Sequence, residues 1–167
     1  MGKPINMEEA AKMDKTVEME EFHKEIDLIQ SCINRMAQNS FLIKGWTVTL
    51  FAVILALVPE KLEQPNRIFL GVVMLAISIM FWYLDSFFLA TERNYRAIYD
   101  WILRERPKGN RQLLYELNFK AYESEKKLPR TSIGEAAGSN TLKFFYGIPT
   151  IISTTYFIFQ LCQLFRC

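Results

Sequence analysis

Two opposite charges stand inside otherwise apolar stretches of this chain. Lys44 interrupts FLIKGWTVTLFAVILALV at 41–58, and Asp85 interrupts IFLGVVMLAISIMFWYLDSFFLA at 68–90. A carboxylate at a bilayer centre costs about 2.5–3.5 kcal/mol on insertion scales. Asp85 sits toward one end of its stretch, where the cost is smaller. If the two stretches pair as an antiparallel hairpin, Lys44 lies 19 residues before a loop midpoint near Glu63 and Asp85 lies 22 after it. That puts them at similar depth. Three roles fit such residues: a Lys44–Asp85 ion pair, a bond from Asp85 to a neighbouring helix, or a charged ring or gate at a pore mouth.

Little else suggests reaction chemistry. The one histidine, His23, reads as a surface or packing residue on a polar helix. Cys32, Cys162 and Cys167 lack metal-ligand spacing and read as buried thiols in apolar surroundings, with Cys167 unplaced. There is no GxGxxG, no P-loop and no G-x-S-x-G. The expectation is a non-enzyme without cofactor or metal. Thr150, Ser153, Thr154, Gln160 and Gln163 either bond between helices or line water.

The elements that must position these residues are long helices. The stretches at 41–58 and 68–90 approach or exceed the ~20 residues that cross a ~30 Å hydrocarbon core, so they read as a transmembrane hairpin. Trp46, Trp82 and Tyr83 lie near the expected water boundaries. Pro59 stops one helix, and Pro65 with Asn66 prepares the next. A third apolar stretch, 144–165, carries no charge but more polar groups, and either spans, enters partway or packs on the others.

Residues 7–40 predict one amphipathic helix. Met19, Phe22, Ile26, Ile29, Ile33 and Met36 recur at alternating spacings of 3 and 4, a seam that packs on its own domain or on another subunit. Glu18, Glu20, Glu21, Lys24, Glu25, Asp27 and Arg35 are assigned to the other faces. With no Pro or Gly between Asn6 and Lys44, the helix can run on into the first span. The second span likewise continues through TERNYRAIYDWILRER to about Arg106, a helix nearly 60 Å long at 1.5 Å per residue. Glu92 with Arg96, and Arg96 with Asp100, support it at i,i+4. Residues 111–127 predict a further helix, with Leu113, Leu114, Leu117 and Ala121 on one side, and 128–140 a loop.

The organisation expected is therefore an all-α membrane protein: a cytoplasmic amphipathic helix at 1–40, the hairpin with its cytoplasmic extension at 41–106, a cytoplasmic helix and loop at 107–143, and a third hydrophobic helix at 144–167. Nine Lys and Arg between Arg104 and Lys143, against Lys61 and Arg67 in the link, place that segment and the N-terminus in the cytoplasm. The first 40 residues contain no apolar h-region of a signal peptide, and MGKPIN is a poor myristoylation match.

FWYLDSFFLATERNYRAIYDW at 81–101, preceded by NSFLIKGWTVTLFAVILAL at 39–57, resembles the RipA-like octameric family of small bacterial inner-membrane proteins. Trp82, Leu84, Asp85, Leu89, Glu92, Arg93, Tyr95, Arg96, Tyr99 and Asp100 carry the likeness. It marks a membrane exit into a cytoplasmic helix, not a reaction. One branch resembles the membrane accessory protein of type VI-B CRISPR systems. That resemblance implies a homo-oligomer, an octamer, forming a pore-like assembly in the bacterial inner membrane. It also implies a functional link to an RNA-guided RNase, with depolarisation during antiviral defence. The other branch implies an envelope stress protein or a non-conducting membrane adaptor. The R-x(4–6)-H motif linked to the first branch is not met: Thr16, Val17 and Glu18 stand where its Arg would precede His23.

Composition excludes several classes. Thirteen Phe, seven Tyr and three Trp are too many for a disordered chain, and three Cys too few for a disulfide framework. The mean hydropathy of +0.04 matches a soluble protein only because charge-free blocks and charged segments average out. The basic segment has an excess of only +4, which suits anionic lipid headgroups better than RNA. The partners expected are other copies of the chain and membrane lipids.

Overall fold

The computed structural model describes residues 7–57, 64–125 and 128–165. The expectations placed on Pro59, Glu63, Lys61, Lys126, Lys127, Cys167 and the MGKPIN start lie outside these residues. Among the described residues the chain is helical, without strands: α1 (Met7–Leu57), α2 (Gln64–Glu105), a 3-10 turn (Arg106–Lys108), α3 (Phe119–Ser124), α4 (Ile133–Ala137) and α5 (Asn140–Leu164). α1, α2 and α5 are each long and apolar enough to cross a membrane. Their length follows from composition: α1 contains no proline, so no residue in it removes a backbone donor from the helical ladder. α5 tolerates Pro149 in its interior, at the loss of one intrahelical hydrogen bond.

The chain divides into two compact units, Met1–Arg35 with Arg93–Arg130, and Met36–Glu92 with Thr131–Cys167. In the first, Ile29 and Ile33 of α1 pack with Ile98 and Ile102 of α2 and with Tyr122 of α3. Phe22, Ile26, Trp101, Leu113, Leu117 and Leu128 cover this core. In the second, Phe81 of α2 packs with Leu142 and Tyr146 of α5, and Ile43 and Leu50 of α1 join them. Gly71 lets α2 approach α5 so closely that a Cβ there would lie 3.3 Å from Phe157.

Three expectations are corrected. The helix expected over 111–127 is confined to Phe119–Ser124. Leu113 (φ 56°) and Tyr115 (φ 57°) adopt the left-handed region instead, and the backbone groups around them bond to side chains elsewhere in the unit, as described below. The loop expected over 128–140 contains α4, started by a capping box in which Ser132 and Glu135 satisfy each other's backbone N–H. The third apolar helix begins at Asn140, four residues before its expected start.

Candidate functional site

Asp85 is wholly buried on α2 and joins three helices. Lys44 Nζ, on α1, lies 2.6 Å from Asp85 Oδ2. Ser40, one turn earlier on α1, donates to Asp85 Oδ1 and accepts from Lys44 Nζ at 2.8 Å. Tyr146 of α5 donates to Oδ2 at 3.0 Å. A buried carboxylate is tolerated when a countercharge and hydrogen bonds replace its water, and here both are supplied. Trp82 stacks beside Tyr146 with an interplanar angle of 13° and donates from Nε1 to Ala137 O at 3.3 Å. The knot therefore ties α5 and the α4 end to the α1–α2 pair.

The knot also decides what Asp85 can do. With no exposed surface, it offers nothing to a neighbouring copy or to an ion passing outside the bundle. Lys44 keeps a 24% exposed side chain, so only its end of the pair meets the surroundings.

A second charged knot, which the sequence did not point to, lies in the other unit. Glu25, expected on a surface face of α1, is 1% exposed. Arg106 grips it with Nε 2.7 Å from Oε2 and Nη2 2.6 Å from Oε1. The Tyr115 N–H donates to Oε1 at 3.1 Å. Arg106 Nη1 donates to the carbonyls of Asn110 (2.7 Å) and Gln112 (2.9 Å), and the guanidinium lies over the Trp101 ring at 5.4 Å. Tyr122 donates toward the carbonyls of Leu113 and Glu116. Carbonyls that a helix over 111–118 would use internally are thus taken by Arg106 and Tyr122, which explains the interrupted helix. Burial, and then the Glu25 charge, push the Tyr122 phenol up to about 12, with Arg106 opposing. Arg111 pairs outside this knot with Glu18 and Glu21.

The remaining candidates scatter. Arg96 and Asp100 are exposed and line a shallow cavity with Gln30, Asn34 and Tyr99, where Gln30 Nε2 bonds the Tyr99 hydroxyl at 3.3 Å. Glu92 and Arg93 are half-buried. Of the seam, Ile29 and Ile33 are core, Phe22, Ile26 and Met36 half-buried, and Met19 is 59% exposed. Its lower part therefore packs on its own unit, and its upper part, with Met13 and Val17, stays uncovered. His23 is exposed. Cys32 is buried, but Cys162 is exposed on α5, contrary to the expectation of a buried thiol. Among the described residues no three His, Cys, Asp or Glu converge as a metal site.

No protein-family model, curated protein or solved structure matches the chain.

Proposed function

We propose that the chain is a non-enzymatic, oligomeric α-helical protein of the bacterial inner membrane, of the RipA-like kind. In this reading it forms a pore-like assembly that assists RNA-guided RNase defence by depolarising the membrane. One observation carries the membrane part. In the unit holding Asp85, the side chains are distributed inside out relative to a water-soluble bundle. Ser40, Thr47, Ser78, Asp85, Ser86, Ser153 and Gln160 are buried, while Phe41, Trp46, Val48, Leu55, Phe69, Ile79, Phe144, Ile151, Ile152 and Phe159 are exposed. Water would penalise that outer surface, at about 25 cal/mol per Å² of apolar area. Lipid would not, and polar groups facing inward toward other helices are the expected membrane arrangement.

The oligomeric and defence parts rest on the resemblance at 39–57 and 81–101, and on the uncovered Met13, Val17 and Met19 of α1. Any conducting axis between subunits is lined by residues other than Asp85. The test is ion flux from the purified oligomer in liposomes, together with resistance to alkaline carbonate extraction from native membranes. Carbonate-resistant protein that passes no ion under any trigger leaves the membrane assignment standing and removes the pore.

A second reading, a non-conducting adaptor or envelope stress protein, is favoured by the burial of Asp85. That burial withdraws the only acidic side chain of the apolar stretches from a pore wall. Capture of one specific cytoplasmic partner, with membrane potential intact, distinguishes it.

A further inference from the structure

Most serine and threonine hydroxyls inside the apolar helices bond back to their own helix. Ser86, Thr47, Thr49, Thr91, Thr150, Thr154 and Thr155 each donate to the carbonyl four residues earlier on their own helix. Ser78 Oγ and Ser153 Oγ do not. Both are buried, at 0% and 1% exposure, and neither has a hydrogen-bond partner among the described residues. Gln160 Oε1, on a residue 5% exposed, is a third such oxygen within these helices, and Ser139 Oγ, just before α5, is a fourth.

Their positions are not scattered. Tyr146, Ser153 and Gln160 recur every seven residues along α5, and Asp85 and Ser78 are seven apart on α2, with Gly71 seven further. The Asp85–Tyr146 bond fixes α2 against α5 at one level, and the Gly71–Phe157 approach fixes them at another. Ser78 and Ser153 fall between these two fixed points on both helices, so they occupy one level of the same interface. Polar groups thus continue inward from the Asp85 knot on the buried side of the bundle. Met74 and Phe81, also buried on α2, stand between the polar levels, Phe81 packed with Leu142 and Tyr146.

Buried hydroxyls and carbonyl oxygens left without protein partners are the groups that hold internal water, which needs two to four polar contacts. A cation suits this place poorly, because the one carboxylate is already matched by Lys44. Seven residues rise about 10.5 Å, a step that about three hydrogen-bonded waters bridge.

We infer that the interior of the three-helix unit is a hydrated polar file. Water held at Ser78, Ser153 and Gln160 connects to Tyr146 and Asp85, and Lys44 supplies the end that meets the surroundings. The file carries protons along the inside of one subunit. A proton entering at one end moves along oxygen-to-oxygen bonds as another leaves at the far end, with no redox change. This rests on the membrane reading above. It differs from a pore between subunits in predicting proton flux without sodium or potassium flux through the same path.

The experiment uses full-length protein in liposomes with an internal pH dye and an imposed pH gradient. Wild type is expected to pass protons. Ser78→Ala with Ser153→Ala is expected to lower that flux at least tenfold, and Ser78→Thr with Ser153→Thr, which keep the hydroxyls, to restore most of it. The melting temperature gives an independent readout. If the site is dry, the alanine pair removes two unpaired hydroxyls and raises it. If water is held there, the pair loses the bonds to that water and does not. Proton flux unchanged by the alanine pair, a raised melting temperature, or inserted wild type that passes no protons overturns the inference. Protein that alkaline carbonate strips from the membrane overturns the membrane reading, and this one with it.

Discussion

Arg106 closes on Glu25 with two parallel hydrogen bonds of 2.7 and 2.6 Å, joining residues 81 positions apart. Both side chains are almost without solvent, at 7% and 1% exposure. Removing one partner leaves an uncompensated buried charge, at a cost of about 3–5 kcal/mol. Arg106→Ala should therefore lower the melting temperature and expose 109–118 to protease, since Arg106 also holds the carbonyls of Asn110 and Gln112. Arg106→Lys should recover little, because an ammonium cannot make the paired geometry. Limited proteolysis that leaves both variants as resistant as wild type would contradict this account.

The Lys44–Asp85 pair makes a different prediction. Lys44→Met strands a buried carboxylate and should destabilise the bundle by several kcal/mol. Adding Asp85→Asn should recover most of the loss, because the amide oxygen still accepts from Ser40 or Tyr146 and no charge remains. Thermal unfolding in detergent compares the single and double variants. A double variant no more stable than Lys44→Met would show that the charge itself, rather than the hydrogen bonds, is required.

Close approach of α2 to α5 depends on Gly71. A Cβ there meets Phe157 at 3.3 Å, whereas at Gly45 nothing lies within 4 Å. Gly71→Leu should cost about 1–3 kcal/mol through overpacking. Gly45→Ala should stabilise α1 by about 0.5–1 kcal/mol. Equal melting temperatures for the two variants would refute this difference.

Tyr122 sets an alkaline limit. Its phenol is raised from 10.0 to about 12 in the fold, by burial first and Glu25 second. Above pH 10 the unfolded chain releases this proton while the folded chain keeps it, so the folded state is progressively disfavoured. The contribution is fully present below pH 10 and lost as pH rises through about 12. Tyr122→Phe should flatten that part of the stability profile, at the cost of the bonds to the Leu113 and Glu116 carbonyls. Stability against pH, with tyrosinate absorbance as the parallel readout, checks the window.

Much of the helical framework was legible because it depends on what the sequence lacks. Without Pro or Gly from Asn6 to Lys44, the N-terminal helix had no reason to stop, and α1 runs through Leu57. The juxtaposition of Lys44 with Asp85 needed only residue counts about a turn. The 109–118 segment was not legible, since Leu113 and Leu117 are good helix formers and the groups that override them are distant in sequence. Glu25 looked like any surface charge, because periodicity places a residue on a face but does not say whether a guanidinium will cover it. α4 was missed with its signal present: Ser132 and Glu135 stand three apart as a capping box requires. The inward turn of Ser78 and Ser153 had no signal of its own, since small polar residues are common on either face of an apolar helix.

The partners of Asp85 also carry an order of arrival during synthesis. Ser40 and Lys44 emerge from the ribosome before Asp85, and Tyr146 emerges about 60 residues later. In a membrane setting the first two helices can therefore leave the insertion machinery together, already neutral as a pair. Tyr146 brings only an uncharged hydroxyl, so α5 can join afterwards without disturbing the charge balance of the Lys44–Asp85 pair. A stalled chain ending before α5 should already hold its hairpin in the bilayer, which makes that truncated nascent chain the natural point at which to catch the bundle half-built.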